Sequence, residues 1–286
     1  AKRRKPVVAA GSSCSTSILC AEDIESTMTD EVSLGGDSPK QQQRGGLHGP
    51  SPASSAQPVE QQPLAALERA SSDMMMIDLA NKIAGDLNAA LHHEDRACLA
   101  VPGGTTPGPL FDDLCAADLP WDRVDVMLTD ERWVPIDSDR SNTKLIRERL
   151  LVNRAAAARH LPLYASADTP EEKLPELEAM IAPELPIAVL LLGMGADMHT
   201  ASLFPGADKL DEALDPRAPI LVPMRAPNAS EPRVTLSARV LDGALRKHVV
   251  IIGQRKREAF ENAQYLSVHD APIKSVLTGA DVHWAP

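Results

Sequence analysis

Residues 187–192 are six consecutive apolar residues, and Gly193 follows them directly. Successive side chains of a strand point to opposite faces of its sheet, so a strand that is apolar throughout is covered on both faces. Strands of this kind are typical of parallel sheets that carry helices on either side. The segment therefore predicts a buried strand of a mostly parallel sheet, ending in a glycine turn.

Helical and strand patterns alternate along the rest of the chain from about residue 64. Apolar residues recur every four positions from Met75 to Leu91, which is the spacing of a helical stripe that faces a core. Further strands are predicted at 98–101, 124–128, 161–164, 220–222 and 249–252, with helices near Pro107 and over 142–151, 170–181 and 256–265. This alternation predicts an α/β fold: a mostly parallel open sheet with helices on both faces, of the doubly wound, Rossmann-like kind.

The N-terminal segment has a different composition. Of the 23 residues at 41–63, 16 are Gln, Gly, Pro or Ser, and such a stretch buries too little apolar surface to offset the entropy of ordering it. We therefore expect residues 1–63 to be a disordered segment, a leader or a linker, and residues 64–286 to form the α/β domain. The sequence does not begin with Met, and these alternatives for its first segment remain open.

Charge and composition restrict the possible partners. The net charge of −11 disfavours nucleic acid and anionic membrane surfaces, and the aromatic content of 3% offers few platforms for stacking bases. No apolar run reaches the roughly 18–20 residues of a membrane span. The four cysteines form no Cys-x-x-Cys pair and are expected to be reduced thiols. A small anionic substrate stays compatible with an acidic chain, because a few local cations can reverse the field in one cleft.

Residues 103–107, Gly-Gly-Thr-Thr-Pro, follow the predicted strand at 98–101. Glycines let the backbone approach a ligand closely, and the hydroxyls of Thr105 and Thr106 with nearby N–H groups can hold a phosphate. The alternative is an ordinary tight turn between a strand and a helix.

Residues 129–135 follow the strand at 124–128 and contain the sequence Asp130-Glu131-Arg132. The guanidinium of Arg132 suits a phosphate or carboxylate, because its donors form a planar fork. The alternative is a surface ion pair.

Asp197 and His199 lie in a glycine-rich stretch, 193–206, that begins where the apolar run ends. An imidazole titrates near neutral pH and can accept a proton from water. A single histidine is more often structural, but its position after a buried strand, beside an aspartate that could orient it, favours a functional role.

Arg233 and Lys256 lie near the ends of the last predicted strands. On their own they are compatible with ordinary solvated surface charge. Ligands of open parallel sheets bind outside the carboxyl ends of the strands, so we expect all four segments to converge on one rim.

The ordered set of four segments resembles the 6-phosphogluconolactonase family, whose superfamily also contains glucosamine-6-phosphate isomerase/deaminase. The similarity runs from about Asp73 to the end, and its strongest part is the stretch from Leu192-Gly193-Met194-Gly195 through His199 to Gly206. Two features depart from the family pattern. Met198 stands where many members carry glycine, so a positive φ cannot be assumed there. No clear first strand precedes Asp73, and residues 63–70 are a candidate to replace it.

The resemblance implies hydrolysis of 6-phospho-D-glucono-1,5-lactone to 6-phosphogluconate, the second step of the oxidative pentose phosphate pathway, with neither metal nor cofactor. His199 would activate water, Asp197 would orient it or contact the sugar, and Asp130 is a third candidate catalytic residue. The phosphate would be bound by Gly104, Thr105, Thr106, Arg132, Arg233 and Lys256.

Two other functions remain open from the sequence: an amino-sugar-phosphate isomerase/deaminase, and a non-catalytic sugar-phosphate sensor. Release of ammonia would favour the first, and binding of 6-phosphogluconate without hydrolysis would favour the second. The lactonase interpretation implies a functional link to glucose-6-phosphate dehydrogenase and a cytoplasmic location, or an organellar one if residues 1–63 are a leader.

Overall fold

The computed structural model describes residues 18–20, 61–227 and 229–286. Its strands are β1 (Ile18–Cys20), β2 (Ala97–Val101), β3 (Val124–Leu128), β4 (Asp130–Arg132), β5 (Arg159–Leu161), β6 (Val189–Gly193), β7 (Leu221–Met224), β8 (Arg233–Leu236), β9 (Arg246–Ile252) and β10 (Ala280–Ala285). Its α-helices are α1 (Gln61–Leu91), α2 (Gly108–Leu114), α3 (Asn142–Arg149), α4 (Leu174–Ile181), α5 (Leu210–Leu214), α6 (Ala238–Asp242) and α7 (Gln254–Ala263).

Seven strands form a parallel sheet in the order β1-β10-β9-β6-β2-β3-β5. From β2 the chain moves outward through β3 to β5, then returns to the centre at β6 and moves the other way through β9 to β10. The order of the strands therefore reverses between β2 and β6. In open α/β sheets the crevice at such a reversal, outside the carboxyl ends of the strands, is where ligands bind.

The sheet is buried on both faces, as the apolar run at 187–192 predicts. Every residue of β2 and β3 is buried, which requires cover on both sides. The α1 helix packs against β2, β6 and β10 through its apolar stripe, of which Leu79, Ile83 and Leu87 are at most 1% exposed. The predicted α/β fold with a doubly wound parallel sheet is thus confirmed.

A second, antiparallel sheet in the order β4-β8-β7 lies beside the first. The strand predicted at 220–222 is β7, so it belongs to this smaller sheet rather than to the parallel one. The register of β4 and β8 places Arg132 directly opposite Arg233. The small sheet therefore brings together two arginines that are about a hundred residues apart in the sequence.

Three predictions near the ends of elements need correction or fall outside the structure. The strand predicted at 161–164 lies two to three residues earlier, as β5. Residues 63–70 are part of the α1 helix, so the suggestion that they replace the first strand is wrong; the edge strand is Ile18–Cys20, which pairs with β10. The expectation that residues 1–63 are a disordered segment, a leader or a linker concerns mainly positions 1–17 and 21–60, which lie outside the described residues. The division of the chain at residue 64 stays a prediction.

Two further findings concern the described residues alone. Cys98 and Cys115 are buried free thiols. A search of the helices described here finds none that combines the length and the apolar character needed to cross a bilayer.

Candidate active site

A cleft of about 290 Å³ lies outside the carboxyl ends of β2 and β6, at the reversal of strand order. Eight of the nine predicted site residues line it: Gly104, Thr105, Thr106, Asp130, Arg132, His199, Arg233 and Lys256. The ninth, Asp197, does not line the cleft but contacts the imidazole of His199. The expected convergence of the four segments on one rim therefore agrees with the structure.

His199 is held by the tight turn that follows β6. The N–H of Met198 donates to the carbonyl of Gly195, and the N–H of Gly195 donates to the carbonyl of His199. A Cβ on Gly195 would lie 2.3 Å from the imidazole Nδ1 and 2.4 Å from Asp197 Oδ1. Only glycine at position 195 lets the ring and the carboxylate occupy their observed places.

Two residues without the freedom of glycine adopt positive φ in this turn: Met198 at 64° and Ala201 at 48°. A positive φ could not be assumed at Met198 from the sequence, and the structure shows that this residue adopts one. The conformation is held by two hydrogen bonds. The N–H of Ile273, outside the turn, donates to the carbonyl of Met198, and within the turn Thr200 Oγ1 donates to the carbonyl of Gly193. Strained backbone of this kind is concentrated at functional sites.

The hydrogen bond between His199 and Asp197 fixes which ring nitrogen carries the hydrogen. The Nδ1 atom lies 2.5 Å from Asp197 Oδ1, and this contact is the main reason that the pKa of Asp197 is lowered. An ionised carboxylate can only accept hydrogen bonds, so Nδ1 carries the hydrogen. In the neutral ring, Nε2 is then the atom with a free lone pair.

Three cations, Arg132, Arg233 and Lys256, line the same cleft. Arg132 and Arg233 are cross-strand partners, and the Nε atoms of both are buried without a hydrogen-bond partner. Burial lowers the pKa of Arg233, and the charge of Arg132 adds to that shift while Asp130 opposes it. Burial also lowers the pKa of Lys256. Desolvated cations that crowd one another favour a bound anion, which would offset the cost of their burial.

Asp130 is a buried carboxylate whose oxygens are already engaged. Ser202 Oγ donates to Oδ2 over 2.5 Å and Thr129 Oγ1 donates to Oδ1 over 3.1 Å. The Nη1 atom of Arg233 lies 3.7 Å from Oδ2. Asp130 therefore connects the turn that bears His199 to the cation on β8.

Glu131, which the sequence analysis left without a role, organises the wall of the cleft. Its carboxylate is fully buried and accepts from the backbone N–H groups of Arg132, Asn142 and Thr143 at 2.7–2.8 Å. A carboxylate at this end of α3 also interacts favourably with the helix dipole. The signal available in the sequence was the pair Ser141-Asn142, since a serine that precedes a helix is a common N-cap.

Asn142 is a further cleft residue that sequence reasoning did not assign. Its side chain donates to the carbonyl of Asp130 over 3.0 Å and fills the space that a Cβ on Gly103 would need. Met194, Ala201 and Val250 also line the cleft. Apolar or short side chains of this kind carry no chemical signature in a sequence, so only the fold identifies them.

Among the described residues, no group of three or more His, Cys, Asp or Glu side chains is placed to hold a metal ion.

The sequence of this chain matches a known protein family. A profile of the family described as glucosamine-6-phosphate isomerases/6-phosphogluconolactonase matches residues 70–284. A 6-phosphogluconolactonase of Mesorhizobium japonicum is 43% identical over 220 residues, which is 74% of this chain and 91% of the relative. One from Pseudomonas aeruginosa is 40% identical over 215 residues, covering 73% of this chain and 89% of the relative.

Solved structures that resemble this chain include a 6-phosphogluconolactonase. The crystal structure of a 6-phosphogluconolactonase from Shewanella baltica superposes with a TM-score of 0.72 at 34% identity, over 74% of this chain and 94% of that one. A monomeric glucosamine-6-phosphate deaminase aligns with a TM-score of 0.58 at 17% identity, which shows a shared fold alone.

Proposed function

This chain belongs to the family of glucosamine-6-phosphate isomerases and 6-phosphogluconolactonases, and from that premise we propose how it acts as a lactonase on 6-phospho-D-glucono-1,5-lactone. The observation that carries the proposal is the composition of the cleft. An imidazole oriented by a carboxylate and three cations line the same cleft. The imidazole suits the activation of water, and the cations suit the phosphate at the far end of the sugar.

His199 acts as the base that activates water. Its Nε2 lone pair takes a proton as the water oxygen attacks the carbonyl carbon of the lactone. The tetrahedral intermediate collapses with cleavage of the bond between that carbon and the ring oxygen, and the imidazolium returns the proton to the departing ring oxygen. General base assistance of this kind contributes about 10²–10⁴-fold to the rate.

Asp197 orients the imidazole and stabilises its protonated form. The carboxylate holds the hydrogen on Nδ1 before the reaction and faces a positive ring during it. A backbone N–H in the glycine-rich turns is our proposed donor to the developing oxyanion.

The phosphate is bound by Arg132, Arg233 and Lys256, together with Gly104, Thr105 and Thr106 of the loop after β2. The loop allows a close approach because Gly104 has a φ of 86° and a Cβ there would meet nothing. Binding energy at a group remote from the reacting bond positions the carbonyl beside His199.

Asp130 contributes by holding Arg233 and Ser202 in place. Both of its oxygens accept hydrogen bonds, and this favours a positioning role over proton transfer. Asp130 also lines the cleft, so our proposal includes a direct contact between its carboxylate and the sugar.

The proposal is tested by generating the lactone with glucose-6-phosphate dehydrogenase and comparing its disappearance with the spontaneous rate. We expect acceleration that survives a chelator, since no step depends on a metal. Ammonia release from glucosamine 6-phosphate would instead identify an isomerase/deaminase. Binding of 6-phosphogluconate without faster hydrolysis would identify a sensor.

We propose that this activity is cytoplasmic and that it follows the reaction of glucose-6-phosphate dehydrogenase. That enzyme supplies the lactone, so the two activities belong in one compartment. Fractionation that finds this chain apart from the dehydrogenase would contradict the assignment.

A further inference from the structure

A second cavity, the α3 groove, lies on the outer side of α3 and has a volume of about 690 Å³. Its main lining residues are Ile136, Thr143, Arg147, His160, Pro162 and Tyr164. None of them lines the active-site cleft. Small-molecule sites are concave, mostly apolar and equipped with a few convergent polar groups, which is the composition found here.

Arg147 supplies a cation that no carboxylate neutralises among the described residues. Its charge contributes, after burial, to lowering the pKa of His160 to about 4, so the imidazole in the same lining is neutral near pH 7. Asp137 also lines the groove, but no ion pair joins it to Arg147 among the described residues. The guanidinium of Arg147 is therefore free to pair with an anion.

Two residues that line the groove carry polar atoms without partners. Thr143, only 1% exposed, has a buried Oγ1 with no hydrogen bond, and Nε2 of His160 is in the same state. Buried polar groups in proteins are nearly always paired, so two orphan atoms in one small region are unusual. A ligand in the groove pairs with them only when these side chains turn toward it.

The remaining walls suit a flat apolar body. Ile136, which is 39% exposed, and Pro162 both line the groove. Tyr164 packs against Trp133, with the ring centroids 4.9 Å apart. An aromatic side chain held in this way, with aliphatic ones in the same lining, suits a planar group.

We propose that the α3 groove is a ligand site for a small organic carboxylate with a planar apolar body. The carboxylate pairs with Arg147 at the mouth, and the body lies between Ile136 and Tyr164. The site is separate from the lactonase cleft, and the first turn of α3 stands between them. Asn142 faces the cleft and Thr143 faces the groove, while the backbone N–H groups of both are held by Glu131.

Benzoate is the probe that tests this, in the full chain, with the ring C–H signals of His160 followed by NMR and assigned with His160→Gln. We expect a saturable shift with benzoate and a much weaker one with benzamide, which has the same shape but no charge. Arg147→Met should weaken benzoate binding by about three- to fivefold, because an ion pair to an exposed guanidinium is lost. Arg154→Met, which removes an exposed arginine that pairs with Asp118 away from the groove, should leave binding unchanged.

Three results would overturn the proposal. They are the absence of a saturable shift in the unmodified chain, equal binding of benzoate by Arg147→Met, and loss of the shift when 6-phosphogluconate occupies the lactonase cleft. Thermal unfolding of each variant is measured alongside, and since Arg147 is exposed we expect its variant to fold normally.

Discussion

The Nδ1 atom of His199 donates a hydrogen bond to Oδ1 of Asp197 across 2.5 Å, and both side chains lie where a Cβ on Gly195 would otherwise be. This relationship connects the primary sequence to the chemistry. The absence of a side chain at Gly195 permits the contact between His199 and Asp197. That contact holds the hydrogen on Nδ1, and Nε2 is therefore the nitrogen that can act as the base.

Replacement of His199 by alanine should lower kcat by about 10²–10⁴-fold and leave KM nearly unchanged, because the base is lost while the phosphate site is intact. The measurement is lactone hydrolysis above the spontaneous rate. Near-normal turnover by a folded His199→Ala variant would show that another group activates the water.

Replacement of Asp197 by asparagine keeps the size of the side chain but adds an N–H donor beside Nδ1. The neutral ring then favours the tautomer with its hydrogen on Nε2. That atom can no longer accept a proton from water, so kcat should fall by about 10²-fold or more. The separate effects on kcat and KM distinguish this effect from a purely structural one, since the wrong tautomer lowers kcat while the phosphate site keeps KM nearly unchanged. Normal kcat in the folded variant would remove Asp197 from the mechanism.

Replacement of Gly195 by alanine should displace the imidazole, because the new methyl group would lie 2.3 Å from Nδ1. We expect kcat to fall while 6-phosphogluconate still binds through its phosphate. The control is Gly85→Ala, on the exposed side of α1, where a Cβ meets nothing. It should keep full activity and gain about 0.5–1 kcal/mol of stability. Equal kcat in both variants would contradict the proposed geometry.

The location of the site was predictable from the sequence because parallel strands place their carboxyl ends on one rim. His199, Arg132 and Lys256 were each identified by a reactive side chain that follows a strand or begins a helix. The pairing of Arg132 with Arg233 was not predictable, since it depends on the antiparallel register of β4 and β8. Short strands in a small side sheet leave no periodic pattern long enough to assign them to one sheet or another.

The backbone at Met198 shows a second limit of the sequence. Methionine favours negative φ, yet the observed value is 64°. The hydrogen bond from Ile273, which lies about 75 residues further along the chain, helps to hold this conformation. A local pattern carries no information about such a distant contact. Glu131 illustrates the same point, since its role depends on hydrogen bonds from the backbone N–H groups at the start of α3.

Arg132→Ala and Lys256→Met should each raise KM for the lactone by about tenfold or more, with a smaller effect on kcat, because they remove charge-assisted contacts to the phosphate. Inhibition by 6-phosphogluconate should weaken in parallel. Arg255→Met, at an exposed neighbouring position of α7, is the matched control and should change neither constant. A fall in kcat with unchanged KM would place these cations at the reacting carbonyl instead.

The stability of the fold should decrease on mild acidification because two half-buried histidines resist protonation. Burial lowers the pKa of His283 to about 4, with a smaller contribution from the adjacent His248, and burial lowers the pKa of His160 to about 4 as well. Between pH 6.5 and 4 the unfolded chain therefore binds protons that the folded chain does not. The free energy of unfolding should fall across that range, by at most about 3 kcal/mol for each imidazole, and the histidine contribution should level off below pH 4. Urea unfolding at several pH values measures the slope. His283→Gln should flatten it, whereas replacement of the exposed His93 by glutamine should not. If His283→Gln keeps the slope of the unmodified chain, His283 is not a source of the acid sensitivity.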